Sequence, residues 1–246
     1  MLRVCIVSAH GSQLARLGRR ETGGMNVYVR ELGRELAAFG IEVDVFVRRT
    51  DPAVPVVQEL APRCRIITLN GGPVAEIDKH EVYRHLSEFV YNVQHFAARE
   101  HRDYDLIHSN YWLSGWVGGK LQQRWDVPHL VMFHTLARIK ERAYLGADEH
   151  PLRIDVENRV LASADLIIAG SPNERHQLIH WLGVHPQRIV TVPCGVDLER
   201  FRPMDRQAAR RALGIGQEPV VLFVGRMDPI KGAPILLDAL SLIEEP

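Results

Sequence analysis

The chain has 246 residues, of which 46% are apolar and 24% charged, proportions that exclude a disordered, collagenous or membrane-embedded protein. Lys and Arg number 30 and so do Asp and Glu, giving a net charge of +0. A domain without a basic excess is a poor match for non-specific binding to nucleic acid or to an anionic membrane, so any cationic site must be local. Cys5, Cys64 and Cys194 are odd in number and far apart, and no CxxC occurs. They are expected to be reduced thiols of a cytoplasmic protein. The N-terminal apolar run is too short for a secretion signal, and no stretch approaches the ~20 apolar residues of a membrane span.

In chain order, short β-branched runs predict strands at Leu2–Ser8, Glu42–Val47, Arg65–Leu69, Leu106–Ser109, His129–Phe133, Leu166–Ala169, Ile189–Val192 and Val220–Val224. Most are continuous rather than alternating, the pattern of strands buried on both faces. Helices are predicted between them, at 24–39, 80–100, 113–125, 151–163, 173–183, 205–213 and 232–243. In the first, Val29, Leu32, Leu36 and Phe39 mark one face and Gly40 supplies the stop. This alternation predicts an α/β fold, a doubly wound parallel sheet with helices on both faces. Ligands of such sheets bind beyond the carboxyl ends of the strands, which directs attention to the residues that follow each one.

The Pro- and Gly-bearing segment 192–203 marks a boundary, giving an N-terminal domain over 1–203 and a second part over 204–246. The strand-loop-helix unit at 219–246 is too short to bury a core, since a domain takes ~100–150 residues. It is expected to be the start of an incomplete second domain, or else padding for the first.

Several segments carry candidate chemistry. Gly23 and Gly24 open the first helix after a long polar loop, where backbone N–H groups could meet an anion or a sugar hydroxyl. Tyr111 and Trp112 follow the fourth predicted strand; Trp112 and Trp116 are expected in the core, and Tyr111 is divided between core and site. His134 and Thr135 follow the fifth. Arg153 sits in the first turn of a helix, where a cation opposes the dipole; it awaits an anionic ligand or is solvated. Arg226 and Lys231 bracket a helix start and make a plausible diphosphate clamp. His176 and His180 have metal-compatible spacing but no third ligand, which favours a solvated face. The glycines at 214 and 216 make no dinucleotide fingerprint, and none follows the first strand.

Together SAHGS, TGGMNVYVRELGREL, GIEVDVFVRRTDP, YDLIHSNYWLSGWVG, FHTLARIK, VPCGVDLERFRP and GRMDPIKG resemble the retaining GT-B glycosyltransferases of family 4. That family includes sucrose-phosphate synthases and inositol-phosphate glycosyltransferases, and GGMNVY with HSNYWLSG and HTLA leans toward the latter. The resemblance runs over essentially the whole chain. It implies a Rossmann-like acceptor domain followed by a second, truncated Rossmann-like domain for the donor. It also implies sugar transfer from a nucleotide-sugar, usually UDP-linked, with retention of configuration and without a metal. A homodimer is compatible with it.

Carried over by position, the resemblance places His10, Gly23, Gly24 and Asn26 at the acceptor. Lys79, Tyr111, Thr135 and Arg153 would contact an acceptor phosphate. Gly24 and the loop around Arg16 would touch the donor, Arg226 and Lys231 would neutralise its diphosphate, and His134 would lie near the reacting sugar. The family's Glu-x7-Glu motif and nucleoside-binding half are absent, so this chain alone is expected to be inactive. The stretch 141–150 departs from the inositol-phosphate members, which leaves room for a fructose 6-phosphate acceptor using Lys140. An unphosphorylated sugar or lipid acceptor would also suit the family, and a non-catalytic module that binds a sugar phosphate would suit the short chain.

Overall fold

A computed structural model of the chain describes residues 1–10, 23–143, 149–225, 227 and 231–243. Two compact units are present, Met1–Cys194 and Gly195–Pro246, so the division falls inside the predicted boundary segment.

The first unit alternates strand and helix. It begins with β1 (Arg3–Ser8), α1 (Gly24–Ala38), β2 (Glu42–Arg48), β3 (Val57–Ala61), β4 (Cys64–Leu69), α2 (Lys79–Arg84) and α3 (Leu86–Arg99). It continues with β5 (Leu106–Asn110), α4 (Tyr111–Trp125), β6 (His129–Met132), α5 (Ala137–Ala143) and α6 (Pro151–Ser163), and closes with β7 (Leu166–Ala169), α7 (Pro172–His180) and β8 (Ile189–Thr191). The eight strands form one sheet in the order β3-β4-β2-β1-β5-β6-β7-β8. Every pair is parallel except β3 with β4. The winding direction reverses between β1 and β5, and a sheet of this kind opens its ligand crevice at that point.

The continuous apolar runs have the expected cause. Val45 lies in the cluster that includes Val29 of α1, while its neighbour Phe46 lies in the cluster that includes Phe89, Val93 and Phe96 of α3. Helices therefore cover both faces, and each strand must be apolar on both. At the amino end of the sheet, Asp44 is buried at 3% exposure and accepts two bonds from Arg65, each 2.8 Å, and one of 2.7 Å from the Tyr104 hydroxyl.

The structure differs from the sequence-based expectations at five points. The antiparallel edge strand β3 is additional; its residues are half-exposed, so it lacks the doubly buried pattern. Val220–Val224 is not a strand: it lies in the second unit, largely exposed, with no strand partner among the described residues. The helix expected at 80–100 breaks at His85, whose ring packs where a Gly72 Cβ would be, 2.4 Å from its Cγ. The short helix α5 is also additional. Phe39 is 83% exposed; the rest of the expected face holds, with Val29 buried and Leu32 and Leu36 packed against the same cluster, beside the buried Asn26, Gly33 and Ala37. Gly40 does stop α1, with φ +84. In the second unit, α8 (Arg206–Leu213) and α9 (Ala233–Ser241) are the helices among the described residues.

Candidate functional site

At the carboxyl end of β5 the chain enters α4 with no intervening loop. The turn is made at Tyr111, which holds φ +78 while only 7% exposed. After β6 the same device recurs at His134, with φ +60. A bulky side chain in the left-handed region costs of order 1–3 kcal/mol, and such strain concentrates at functional positions. The glycines of the segment that follows Tyr111 have a packing role. A Cβ at Gly115 would stand 2.8 Å from Val160 of α6, and one at Gly118 would stand 2.3 Å from His129 Nε2. They let α4 press onto its neighbours.

The Tyr111 ring is the centre of a cationic cluster. Arg153 Cζ lies 5.1 Å from the ring centroid, Lys79 Nζ 5.8 Å, and the His10 ring 5.9 Å. Lys79 is the first residue of α2, whose N-cap Asp78 accepts from the His80 amide at 2.8 Å. His10 comes two residues after β1. Burial, with Lys79 and Arg48 nearby, lowers its imidazole to about 4, so it is neutral at pH 7.

Arg153 is neither solvated nor unpaired. It is 5% exposed and is held by Glu157 at 2.7 Å, Glu149 at 2.9 Å, and the carbonyl and hydroxyl oxygens of Thr135 at 3.0 and 3.2 Å. Burial opposes its charge, yet Glu157 and its other partners keep its pKa above the ordinary value. Glu157 also accepts from the Ala137 amide at 2.8 Å, which ties α5 to α6. Glu149 bridges two cations, since its other oxygen lies 2.5 Å from Lys140 Nζ.

His134 Nε2 lies 2.9 Å from Asn110 Oδ1, and the Tyr28 ring of α1 meets the imidazole edge-on at 5.1 Å. With Nε2–H donating to Asn110, the lone pair resides on Nδ1. Burial holds this imidazole down at about 4. Nearby polar atoms are buried without a hydrogen-bond partner: Asn110 Nδ2, Trp112 Nε1, His80 Nδ1 and His108 Nε2. Such atoms are costly; Gln58 Oε1, Thr68 Oγ1 and His129 Nδ1 are orphaned elsewhere in the unit, and those near Tyr111 and His134 offer contacts that a polar ligand or water would complete.

The structure thus brings together His10, Lys79, Tyr111, Thr135 and Arg153, with His134 adjacent to Thr135. Asn26 is buried in the first turn of α1, and its amide donates to Gly23 O at 3.1 Å. Gly23 and Gly24 have no positive φ, and a Cβ at either meets nothing within 4 Å among the described residues. Arg16 and Arg226 lie outside the described residues. Lys231 is exposed in the second unit, just before the Gly232 N-cap of α9. The rings of His176 and His180 lie 4.3 Å apart, tilted, on α7, and no cluster of metal-ligating side chains occurs among the described residues. Sequence reasoning missed Glu149, Glu157, Tyr28 and Asn110. Glu149 and Glu157 had a signal, each four residues from Arg153, and Asn110 lies at the carboxyl end of β5.

The Glycosyltransferase Family 4 profile matches residues 22–200, and the chain belongs to that family. It is 42% identical over 243 residues to a D-inositol 3-phosphate glycosyltransferase of Geodermatophilus obscurus, covering 97% of this chain and 54% of that protein. Among solved structures it matches sucrose-phosphate synthase from Thermosynechococcus elongatus with TM-score 0.89 and 39% identity, over 99% of this chain and 60% of that one. Anabaena HepE, solved in complex with UDP and glucose, shares the GT-B fold at TM-score 0.68 and 16% identity, over 100% of this chain and 59% of that one. The chain spans about half the length of the curated relatives it matches, 54% to 60% in four of them. No described helix is long and apolar enough to cross a membrane.

Proposed function

We propose that this chain holds the acceptor of a glycosyl transfer, and that the acceptor is a phosphorylated polyol or sugar. The observation that carries the reading is the gathering of Lys79, Arg153 and Thr135 around the strained, buried Tyr111 beside the sheet's switch point. Fixed cations in a partly water-excluded site bind a phosphate by charge-assisted hydrogen bonds and so position the hydroxyl to be glycosylated. His10, Gly23, Gly24 and Asn26 would line the polyol. D-inositol 3-phosphate, for which the relatives are named, is the leading acceptor. The likeness to sucrose-phosphate synthase supports fructose 6-phosphate as a second, with Lys140 within the same cluster.

In the complete protein the donor is a nucleotide-sugar, with UDP as the expected carrier. Negative charge grows on its diphosphate as the glycosidic bond breaks, and Arg226, Lys231 and the loop around Arg16 would stabilise that charge without a metal. The acceptor hydroxyl then attacks the face the diphosphate leaves, which retains configuration, and the departing diphosphate takes its proton. His134 is neutral at pH 7 and offers its Nδ1 lone pair to a sugar hydroxyl rather than a positive charge.

Competition tests the acceptor reading. Inorganic phosphate should displace D-inositol 3-phosphate from the protein, whereas a site for an unphosphorylated sugar or lipid would be indifferent to it. Transfer by the complete protein should persist in EDTA; a loss restored by a divalent cation would contradict the metal-free reading.

A further inference from the structure

Glu149 occupies the cations that an acceptor phosphate would use. One carboxylate oxygen lies 2.9 Å from Arg153 Nη1 and the other 2.5 Å from Lys140 Nζ, and the side chain is 13% exposed. Its backbone amide donates to Glu141 Oε1 at 3.3 Å. Next to it, His150 caps α6 by accepting from the Leu152 amide at 3.1 Å, and its ring lies tilted against His80 at 4.3 Å. Arg153 has a second carboxylate, Glu157, that also holds the Ala137 amide. The two glutamates therefore differ. Glu157 is 3% exposed and tied to two elements, and moving it would orphan both a guanidinium N–H and a backbone amide. Glu149 bridges outward to Lys140, which is 40% exposed, so it can leave Arg153 and keep a cationic partner.

We propose that Glu149 is a resident counter-ion that the ligand's phosphate displaces from Arg153, and that this exchange sets the site's preference for dianionic phosphate monoesters. The inference rests on reading the cluster as a phosphate site. With Glu149 in place, Lys79, Lys140 and Arg153 face two carboxylates, Glu149 and Glu157, leaving a surplus of one positive charge. When Glu149 turns onto Lys140 it neutralises that lysine, so Lys79 and Arg153 face Glu157 alone and Arg153 Nη1 is freed; a phosphate monoester at neutral pH then brings about two negative charges where the carboxylate brought one. A neutral polyol gains nothing from displacing a carboxylate, and a monoanion gains about what it replaces. Lys140 is the positioning residue that receives the displaced carboxylate.

The test is calorimetric titration of the protein with D-inositol 3-phosphate, with inorganic phosphate and with unphosphorylated inositol. Glu149→Gln should tighten both phosphate ligands about tenfold, the scale of one charge-assisted hydrogen bond, and leave inositol unchanged. Lys140→Met should weaken the phosphate ligands about threefold in the natural background, because the displaced carboxylate loses its second partner. In the Glu149→Gln background the same change should do nothing.

A merely structural Glu149 would give equal or weaker phosphate binding in Glu149→Gln. If Lys79→Ala still weakened the phosphate ligands, the counter-ion proposal would fall and the phosphate site would stand. Equal loss from Lys140→Met in both backgrounds would place Lys140 directly on the phosphate and overturn its role here. If the natural protein does not distinguish inositol phosphate from inositol, the phosphate reading fails and this proposal fails with it.

Discussion

The two ends of the sheet in the first unit both carry arginine–carboxylate clusters, and they are built differently. At the amino end, Arg65 grips Asp44 with two bonds of 2.8 Å, Tyr104 adds a third, and Arg3 and Arg102 share Glu42. Positive φ there falls on turn residues, Arg63, His101 and Asp126. At the carboxyl end, Arg153 is more buried than Arg65, but its partners include the outward-bridging Glu149. Positive φ falls there on Tyr111 and His134, and buried polar atoms lack partners. A charge cluster by itself therefore says little about function. Positive φ at the buried Tyr111 and at His134, beside the point where the winding reverses, distinguishes the carboxyl-end cluster, the proposed ligand site, from the amino-end brace.

The comparison breaks first on stability. Asp44→Ala strands a partly buried guanidinium and a buried tyrosine hydroxyl, and should cost about 3 kcal/mol in urea unfolding. A cost near zero would mean the amino-end cluster braces nothing. Lys79→Ala should weaken D-inositol 3-phosphate roughly 10- to 100-fold while barely moving the unfolding midpoint, because one bond to a charged group contributes about 1.5–3 kcal/mol. Unchanged affinity would remove the phosphate assignment.

Buried histidines sharpen the contrast through pH. Burial lowers His10, His129 and His134 to about 4 and His108 to about 3, against about 6.5 in the unfolded chain. The unfolded chain thus takes up protons first as pH falls. This contribution to stability is full above about 6.5 and is lost as pH drops toward 4, by of order 2 kcal/mol for each imidazole at pH 5. Desolvation raises the carboxyls of Glu157 and Glu174, which act in the opposite sense, so the measured loss is the difference. Urea unfolding at pH 7.5 and 5.0 measures it; equal stabilities would show that these imidazoles are not buried neutral. The smallest effect expected is for Gly40→Ala, about 1 kcal/mol, from the φ of +84 that ends α1.

Most of the sheet was legible because strands covered on both faces must be apolar throughout, as Val45 and Phe46 illustrate. The same rule misled at Val220–Val224, whose apolar residues meet no partner strand among the described residues. It was blind to β3, an edge strand without a doubly covered face. Phe39 fitted the helical period of α1 but is its C-cap, beyond the last helical residue Ala38. Tyr111, His134 and Thr135 stood out in the sequence because they follow strands directly, Arg153 because it opposes a helix dipole, and His10 and Lys79 entered only through the family resemblance. Glu149 did not stand out, since its meaning depends on α5 and α6 meeting. Arg153 in a first turn looked out of place until the carboxylates of Glu149 and Glu157 were seen around it.

The central claim is that the Tyr111 cluster recognises a phosphate. Titrating the protein with D-inositol 3-phosphate and with unphosphorylated inositol under one set of conditions tests it most directly. The account predicts binding of the phosphorylated ligand at least about tenfold tighter, falling as salt screens Lys79. Equal affinity for the two, insensitive to salt, would contradict it.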